Sequence, residues 1–339
     1  MRPLWLWRES TEPMETYVIR SSSHDPWLNL ALEEYLLDNI RKNQILLYLW
    51  RNDSTVVLGK NQNAWKECDW RLLEAEGGKL SRRLSGGGAV YHDLGNLNFT
   101  FVMDRNLYDL SAQFRVILNA LESLGISGEY TGRNDLTFQG KKFSGNAFYF
   151  RGHTAYHHGT LLVHTDLSRL TRYLKVSADK IRSKGIDSVR ARVINLADIR
   201  HELRMEDLAK SIEGSFGQIY GAPKELPFDL YSDQAATLYR KYASWQWRFG
   251  DSPDFDIEMQ RRFSWGGADL GFQIENGKIR SAAFYSDAMD GILIQEIARQ
   301  LRSVPFQKEA IAERLKQVGP SEENREIIDD LIHWLNTKF

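Results

Sequence analysis

The apolar residues near the start of the chain follow the patterns of one helix and two strands. Asp25 and Pro26 are typical of an N-cap and a first helical position, and apolar residues follow them at helical spacing as far as Leu36. Two β-rich runs come next, at 45–50 and 55–59, and the four residues between them have the composition of a hairpin loop. We therefore expect a helix and then a β-hairpin.

The middle of the chain mixes strand and helix patterns. Strand-like runs lie at 97–101, 135–138, 142–144 and 160–163. Helical spacing at 114–124 and at 208–219 predicts two helices among them. The order has no regular βαβ alternation, which favours a mixed α+β architecture over a parallel α/β fold.

The pattern changes beyond residue 243, where the chain becomes aromatic and irregular. Alternating apolar residues on both sides of Asn276-Gly277 predict a hairpin with a tight turn. Helical spacing then predicts helices at 293–301, 311–315 and 327–335. The expected organisation is a leader at 1–15 that can be disordered, a large domain at 16–246, a linker at 247–253 and a small α+β domain at 254–339.

The composition excludes several classes of protein. The 339 residues carry 44 Lys and Arg against 45 Asp and Glu, so no overall field favours nucleic acid or an anionic membrane. No apolar run approaches the roughly 20 residues of a membrane-spanning helix. The single cysteine, Cys68, cannot form an internal disulfide, which favours a reducing compartment. We expect a cytoplasmic protein, and a monomer.

The segment 82–93 is the most unusual stretch of the sequence. Three consecutive glycines, 86–88, allow backbone N–H groups to approach a ligand, and Arg82 and Arg83 precede them. The composition is equally compatible with a cradle for an anion and with a flexible glycine loop. The sequence contains neither a Walker A loop nor a dinucleotide-binding glycine motif after a strand.

The same segment, together with 95–99, resembles the signature of the lipoate-protein ligases of the biotin/lipoate ligase superfamily, in their bacterial two-domain form. Other motifs of that family lie before and after this segment, in the order that the family shows, at 25–34, 65–68, 132–136, 141–147, 157–162, 188–190 and 265–267. The resemblance covers nearly the whole chain from about Ser22. It implies a large mixed-sheet catalytic domain of the biotin/lipoyl ligase type and a smaller C-terminal α+β accessory domain.

The resemblance also implies a two-step reaction. Lipoate and ATP with Mg²⁺ form lipoyl-AMP and pyrophosphate, and a lysine of a carrier then takes the lipoyl group as an amide. The implied carriers are lipoyl domains of 2-oxoacid dehydrogenase complexes or the glycine-cleavage H protein. A carboxylate and a triphosphate repel each other, so the site must supply cations and N–H donors before they can react.

Lys142 matches the lysine position of the family and is the predicted catalytic residue. Its ammonium group can bridge the lipoate carboxylate and the α-phosphate. Lys141 is expected on the opposite face of the strand. Without the surrounding motif, the favoured interpretation of the Lys-Lys pair is a solvated strand end.

The other site residues are carried over from the family by position. Those expected to bind ATP and lipoyl-AMP are Arg83, Gly86, Gly87, Gly88, Ala89, Val90, Tyr91, Asn134, Asp135 and Lys142. Those expected to bind lipoate are Leu28, Trp50, Ser85, His92, Lys142, His158, Gly159 and Thr160. An adenylate-binding loop is expected to include Lys184, Gly185, Arg190, Arg192 and Val193.

Several of these residues have competing interpretations. Asp135 is the candidate Mg²⁺ ligand, whereas a turn or cap role is the alternative for Asn134 and Asp135. Leu28, Trp50 and Val90 are equally compatible with ordinary core positions. The basic segment 181–192 is otherwise an exposed surface.

Three other interpretations of the sequence have less support. The histidines between 153 and 164 lack the spacing of a zinc motif, so we do not expect them to bind a metal. An octanoyltransferase of the same fold needs a nucleophilic cysteine, and Cys68 is the only candidate. A lipoate-binding protein without catalysis is the third possibility.

Overall fold

The computed structural model of the chain describes residues 13–131, 134–175, 193–224, 226, 232–249, 255–318 and 322–338. Most of the predicted leader lies outside these residues, as does part of the predicted linker, at 250–253. The remainder of that linker belongs to a short helix, Trp245–Phe249.

The strands are β1 (Glu15–Arg20), β2 (Gln44–Trp50), β3 (Thr55–Leu58), β4 (Lys79–Arg82), β5 (Val90–His92), β6 (Asn96–Asp104), β7 (Glu129–Thr131), β8 (Asp135–Phe138), β9 (Lys141–Arg151), β10 (Thr154–Leu162), β11 (Ile257–Arg262), β12 (Gly267–Glu275) and β13 (Lys278–Ser286). The helices are α1 (Pro26–Asn39), α2 (Ala64–Glu67), α3 (Trp70–Ala75), α4 (Leu110–Ser123), α5 (Leu167–Tyr173), α6 (Leu196–Ile199), α7 (Met205–Tyr220), α8 (Asp233–Ala243), α9 (Trp245–Phe249), α10 (Gly291–Gln300), α11 (Lys308–Lys316) and α12 (Glu322–Asn336).

A large mixed sheet forms the centre of the first domain. Its strand order in the described part of the chain is β1-β2-β6-β10-β9-β8-β7, with β1 and β2 parallel and the other neighbours antiparallel. Helices α4 and α7 cover one face, and α1 and α8 cover the other. Strand β2 is buried on both faces, which explains its unbroken apolar sequence.

The two β-rich runs after α1 do not form the predicted hairpin. Strand β2 belongs to the large sheet, whereas β3 lies in a small separate sheet between β4 and β5. Every residue of both strands is buried, so neither run has the apolar and polar alternation that would have indicated its partner. The small sheet carries the glycine-rich segment between β4 and β5.

The C-terminal domain consists of the sheet β11-β12-β13 packed against α10, α11 and α12. The predicted hairpin at Asn276-Gly277 is confirmed: both residues have positive φ, 51° and 72°, as a tight two-residue turn requires. The predicted α+β class, with one large mixed sheet and a smaller second domain, is also confirmed. Across the described residues, no helix has both the length and the apolar character needed to cross a membrane.

Candidate active site

A cavity of about 170 Å³ lies where the small sheet meets the α1 face of the large sheet. The cavity brings together predicted residues from both substrate groups: Trp50, Arg83, Gly87, Gly88, Ala89, Val90, His92, Asn134, Lys142, His158, Gly159 and Thr160. Segments that are far apart in sequence therefore share one wall.

Five of the residues predicted to bind ATP or lipoate do not line the cavity: Leu28, Ser85, Gly86, Tyr91 and Asp135. Leu28 packs in the core between α1 and the large sheet, and Leu30 lines the cavity instead. Tyr91 lies between Val90 and His92 on β5, so strand alternation directs it to the other side, where it packs against Tyr173. Ser85, Gly86 and Asp135 instead contact side chains that line it, those of His158, Arg83 and Lys142 respectively.

The glycine-rich segment is held from inside by Arg83. The guanidinium group is almost fully buried and donates to the carbonyl oxygens of Val57, Gly86 and Gly88 and to Ser85 Oγ, at 2.7–3.2 Å. Four of its five N–H groups therefore have protein acceptors. These bonds fix the loop, and because Arg83 also lines the cavity, its contact with the adenylate stays a prediction.

Arg82 has a comparable structural position on the other side of β4. It is also buried, and it donates to backbone carbonyls of the β3–α2 connection and of α9. The arginine pair therefore braces the small sheet and its loop. The positive φ of Gly87, 86°, explains why this position of the loop is glycine.

A buried carboxylate that the sequence analysis did not identify orients two side chains of the cavity. Glu33, 1% exposed on α1, accepts hydrogen bonds from His158 Nδ1 and Thr100 Oγ1, both at 2.8 Å. Thr100 Oγ1 in turn accepts from Trp50 Nε1 at 3.0 Å, and Ser85 Oγ lies 2.8 Å from His158 Nε2. In the sequence alone, nothing distinguishes Glu33 from an exposed glutamate of a helix. Its burial in the structure reveals this role.

His92 lines the same region as a neutral imidazole. Its pKa is lowered to about 3, chiefly by burial and also by the positive charge of Arg83. Asn29 donates to Asn52 Oδ1, so Asn52 must turn its amide nitrogen toward His92 Nδ1, at 3.2 Å. The ring proton is therefore on Nε2, which has no hydrogen-bond partner among the described residues. His92 thus lines the cavity with one N–H group that has no acceptor among the described residues.

Lys142 lies on β9 at the edge of the cavity, 37% exposed, with Nζ 2.7 Å from Asp135 Oδ1. Its ammonium group lies above Gly145: a Cβ at that position would be only 2.9 Å from Nζ. Lys141 is exposed and does not line the cavity. Lys142 and Asp135 thus form an ion pair at the polar end of the cavity.

Asn134 forms the turn immediately before β8 and pairs with Asn146 of β9. Asn146 donates from N and Nδ2 to Asn134 O, and Asn134 Nδ2 donates back to Asn146 O, at 2.9–3.0 Å. The turn role that the sequence left open for Asn134 is therefore present, and its side chain lines the cavity as well. Asn146, which the sequence analysis did not single out, also lines the cavity.

Most of the predicted adenylate-binding loop lies outside the described residues, namely Lys184, Gly185, Arg190 and Arg192. Val193 is described. It forms a parallel bridge with Lys142, and Ile194 N donates to Lys142 O at 2.9 Å. The C-terminal end of this segment therefore joins the strand that carries the catalytic candidate.

Two family descriptions match the chain. The lipoyl protein ligase A/B catalytic domain matches residues 25–217, and the bacterial lipoate protein ligase C-terminus matches residues 252–335. Among curated proteins, lipoate-protein ligase A of Blochmanniella pennsylvanica is 38% identical over 330 residues, which covers 94% of this chain and 97% of that protein.

Solved structures of ligases share the fold. P. falciparum LipL1 in complex with lipoate has a TM-score of 0.82 and 30% identity and covers 94% of this chain and 99% of its own. A bipartite lipoate protein ligase of Thermoplasma acidophilum, studied with its E2 lipoyl domain, has a TM-score of 0.62 and 27% identity over 72% of this chain and 99% of its own. A lipoate-protein ligase A bound with ATP has a TM-score of 0.60 and 25% identity over 70% and 99%.

The predicted resemblance is thus confirmed over nearly the whole chain, by both domains and by full-length relatives. On the combined evidence of sequence, fold and cavity, the chain belongs to the lipoate-protein ligase family.

Proposed function

We propose that the protein is an ATP-dependent lipoate-protein ligase. It activates lipoate to lipoyl-AMP with release of pyrophosphate and then transfers the lipoyl group to a lysine of a carrier domain. The observation that carries this proposal is the cavity, with Trp50 and Leu30 in its wall and Lys142 at its polar end. Such a cavity suits a molecule with an apolar body and a terminal carboxylate.

In this proposal Lys142 is the catalytic residue. Its compact positive charge neutralises the lipoate carboxylate and the α-phosphate, which otherwise repel each other as the new bond forms. Before substrates bind, Asp135 is the partner of this charge at 2.7 Å. Substrate binding therefore replaces one anionic partner of Lys142 by two others.

Asp135 is also the residue that would hold Mg²⁺. No group of three or more potential metal-binding His, Cys, Asp or Glu side chains occurs among the described residues. This fits Mg²⁺, which is commonly held by one or two carboxylates together with substrate phosphates. When bound, the ion would neutralise phosphate charge.

The glycine loop supplies backbone donors rather than side-chain charge. Arg83 fixes its conformation, so that Gly88 and Ala89 face the cavity with their backbones. The unpartnered Nε2–H of His92 and the imidazole of His158 add polar contacts to the lipoate side. A rigid set of donors stabilises the charge that develops in the transition state, because the donors do not have to reorient during the reaction.

The proposed acceptors are lipoyl domains of 2-oxoacid dehydrogenase complexes or the glycine-cleavage H protein. The ligase of Thermoplasma acidophilum was studied with its E2 lipoyl domain, which supports an acceptor of this kind. We also propose a cytoplasmic location, with which the free, buried Cys68 is compatible.

Cys68 argues against the octanoyltransferase alternative. The thiol is fully buried outside the cavity, and burial raises its pKa to about 12. A thiol in this state cannot supply the thiolate that a thioester mechanism needs at neutral pH.

The test is mass spectrometry of an unmodified lipoyl domain after incubation with the protein, lipoate and MgATP. We expect an ATP-dependent lipoyl adduct for the parent and a loss of about a hundredfold or more in rate for Lys142→Ala. Lys141→Ala is the matched control, since its side chain is exposed on the neighbouring position. A parent that gives no adduct, or a fully active Lys142→Ala, contradicts the proposal. ATP-independent transfer would indicate the octanoyltransferase, and acceptor binding without AMP release would indicate a binding protein.

A further inference from the structure

A completely buried histidine lies directly behind the nucleotide end of the cavity. His157 of β10 is 0% exposed and sits among the rings of Phe99, Phe114 and Phe148. Burial holds its pKa well below the ordinary value, and the neighbouring His158 acts in the same direction. The imidazole is therefore neutral, with one N–H donor and one acceptor nitrogen.

Both ring nitrogens have amide partners, and the surrounding bonds determine which nitrogen carries the proton. Nε2 lies 3.0 Å from Asn146 Oδ1, and Nδ1 lies 2.9 Å from Gln113 Oε1. The amide of Asn146 cannot turn, because its Nδ2 donates to Asn134 O. Its Oδ1 therefore faces His157 and requires a donor, which only the Nε2–H form provides.

The other end of the imidazole accommodates this tautomer. If Nε2 carries the proton, Nδ1 is an acceptor, and Gln113 must direct its NH₂ group toward it. The opposite end of this amide meets Met103 Sδ, at 3.2 Å, which is a weak partner. Turning the Gln113 amide is therefore much cheaper than turning that of Asn146.

Gly159 lies beside the hydrogen bond of His157 with Asn146, at a position where a side chain would not fit. A Cβ at that position would lie 2.3 Å from Asn146 Oδ1 and 2.5 Å from the ring of Phe99. Any side chain there would displace the Asn146 amide from His157. The glycine thus preserves the hydrogen bond between them.

From this geometry we propose that His157 is a positioning residue: its Nε2–H fixes Asn146, and Asn146 fixes the turn at Asn134 against the cavity. The inference rests on the proposed function and on the sequence prediction that Asn134 and Asp135 bind ATP. His157 has no place in the chemistry itself, since it lies behind the wall and does not line the cavity. Its effect is on nucleotide affinity, transmitted through Asn146.

The first test determines the tautomer of His157 by NMR and does not depend on enzyme activity. A long-range ¹H–¹⁵N correlation spectrum of the parent, with His157 assigned by its disappearance in His157→Gln, distinguishes the two neutral forms of imidazole. We expect protonation at Nε2. Protonation at Nδ1 overturns the proposal, because Asn146 Oδ1 would then have no donor.

The second test measures binding of α,β-methylene-ATP by calorimetry, with lipoate binding measured in parallel. His157→Leu removes the donor, and we expect nucleotide affinity to fall about tenfold, the scale of one lost hydrogen bond, with lipoate affinity unchanged. His157→Gln retains an N–H near the position of Nε2 and should stay within about threefold of the parent. Phe148→Leu is the packing control: it loses ring contact with His157 but no hydrogen bond, so its affinity should match the parent.

A double-mutant cycle separates positioning from general loss of stability. If His157 acts through Asn146, His157→Leu causes no further loss of nucleotide affinity in an Asn146→Ala background. Additive losses, or parent-like affinity in His157→Leu, overturn the proposal. If His157→Leu does not fold, the tautomer and the His157→Gln affinity decide. A folded parent that does not bind the nucleotide analogue refutes the proposed function instead, so the two failures are distinguishable.

Discussion

At the level of single residues, a structural role and a ligand-binding role of Arg83 lead to different expectations for its variants. Its buried guanidinium connects β3 to three positions of the glycine loop. Lysine has three donors on one atom and cannot reproduce this fork. We expect Arg83→Lys to lower the free energy of unfolding by about 3 kcal/mol, measured by chemical denaturation.

The control for this prediction is Lys141→Arg, on an exposed side chain, which should leave stability unchanged. If Arg83→Lys unfolds like the parent but binds ATP poorly, then Arg83 acts on the ligand, as the sequence suggested. The sequence could place an arginine beside the glycines, because the motif is local. It could not reveal that the carbonyls of Val57, Gly86 and Gly88 already occupy the guanidinium, because those bonds form only after β3 and β4 pair.

Lys60 gives a prediction for the pH dependence of stability. Its Nζ lies 3.5 Å from the centre of the Trp247 ring, and burial lowers its pKa to about 7, with the nearby charges of Lys241 and Arg82 adding to the shift. The unfolded chain keeps an ordinary lysine pKa near 10.4. Between pH 7 and pH 10 this lysine therefore binds more protons in the unfolded state than in the native state, and its contribution to stability rises with pH.

Lys60→Met removes this penalty and keeps the apolar stem over Trp247. We expect it to stabilise the protein by on the order of 2 kcal/mol at pH 6–7, and the gain to disappear toward pH 10. Urea denaturation at several pH values measures the effect, with Lys141→Met as a control for the loss of a lysine. A gain that is constant with pH would show that Lys60 does not titrate in this range.

At the level of elements, the sequence predicted what each segment is better than what it pairs with. The hairpin β12–β13 was predictable because Asn276-Gly277 favours a turn with two positive φ angles, which fixes the pairing locally. The assignment of β2 and β3 to different sheets was not, because their pairing depends on β6 and on β4, which come later in the chain. The same limit hid the roles of Glu33 and His157, whose partners lie 125 and 44 residues away.

In the molecule as a whole, the two domains meet at the glycine loop. Gly87 N donates to Ala288 O at 3.0 Å, and Asn61 bonds to Ser286 N and Gly291 O at 2.8 and 2.7 Å. Lys66 and Asp269 add an ion pair at 2.6 Å. The segment between β13 and α10 thus uses one backbone donor of the loop. The loop therefore contacts the C-terminal domain on one side and lines the cavity on the other.

Gly86 and Gly88 form a matched pair for testing this contact. A Cβ at Gly86 would lie 2.4 Å from Ala288 O and 2.5 Å from Met289 O, whereas a Cβ at Gly88 would meet no atom within 4 Å. Backbone oxygens cannot move aside as a flexible side chain can, so Gly86→Ala should separate the domain contact while Gly88→Ala preserves it. We expect small-angle scattering to give a larger radius of gyration for Gly86→Ala alone, with each domain still folded. Identical scattering for the two variants would contradict this prediction. The loop would then accommodate the extra methyl group without moving the C-terminal domain, and the contact at Ala288 would not hold the domains together.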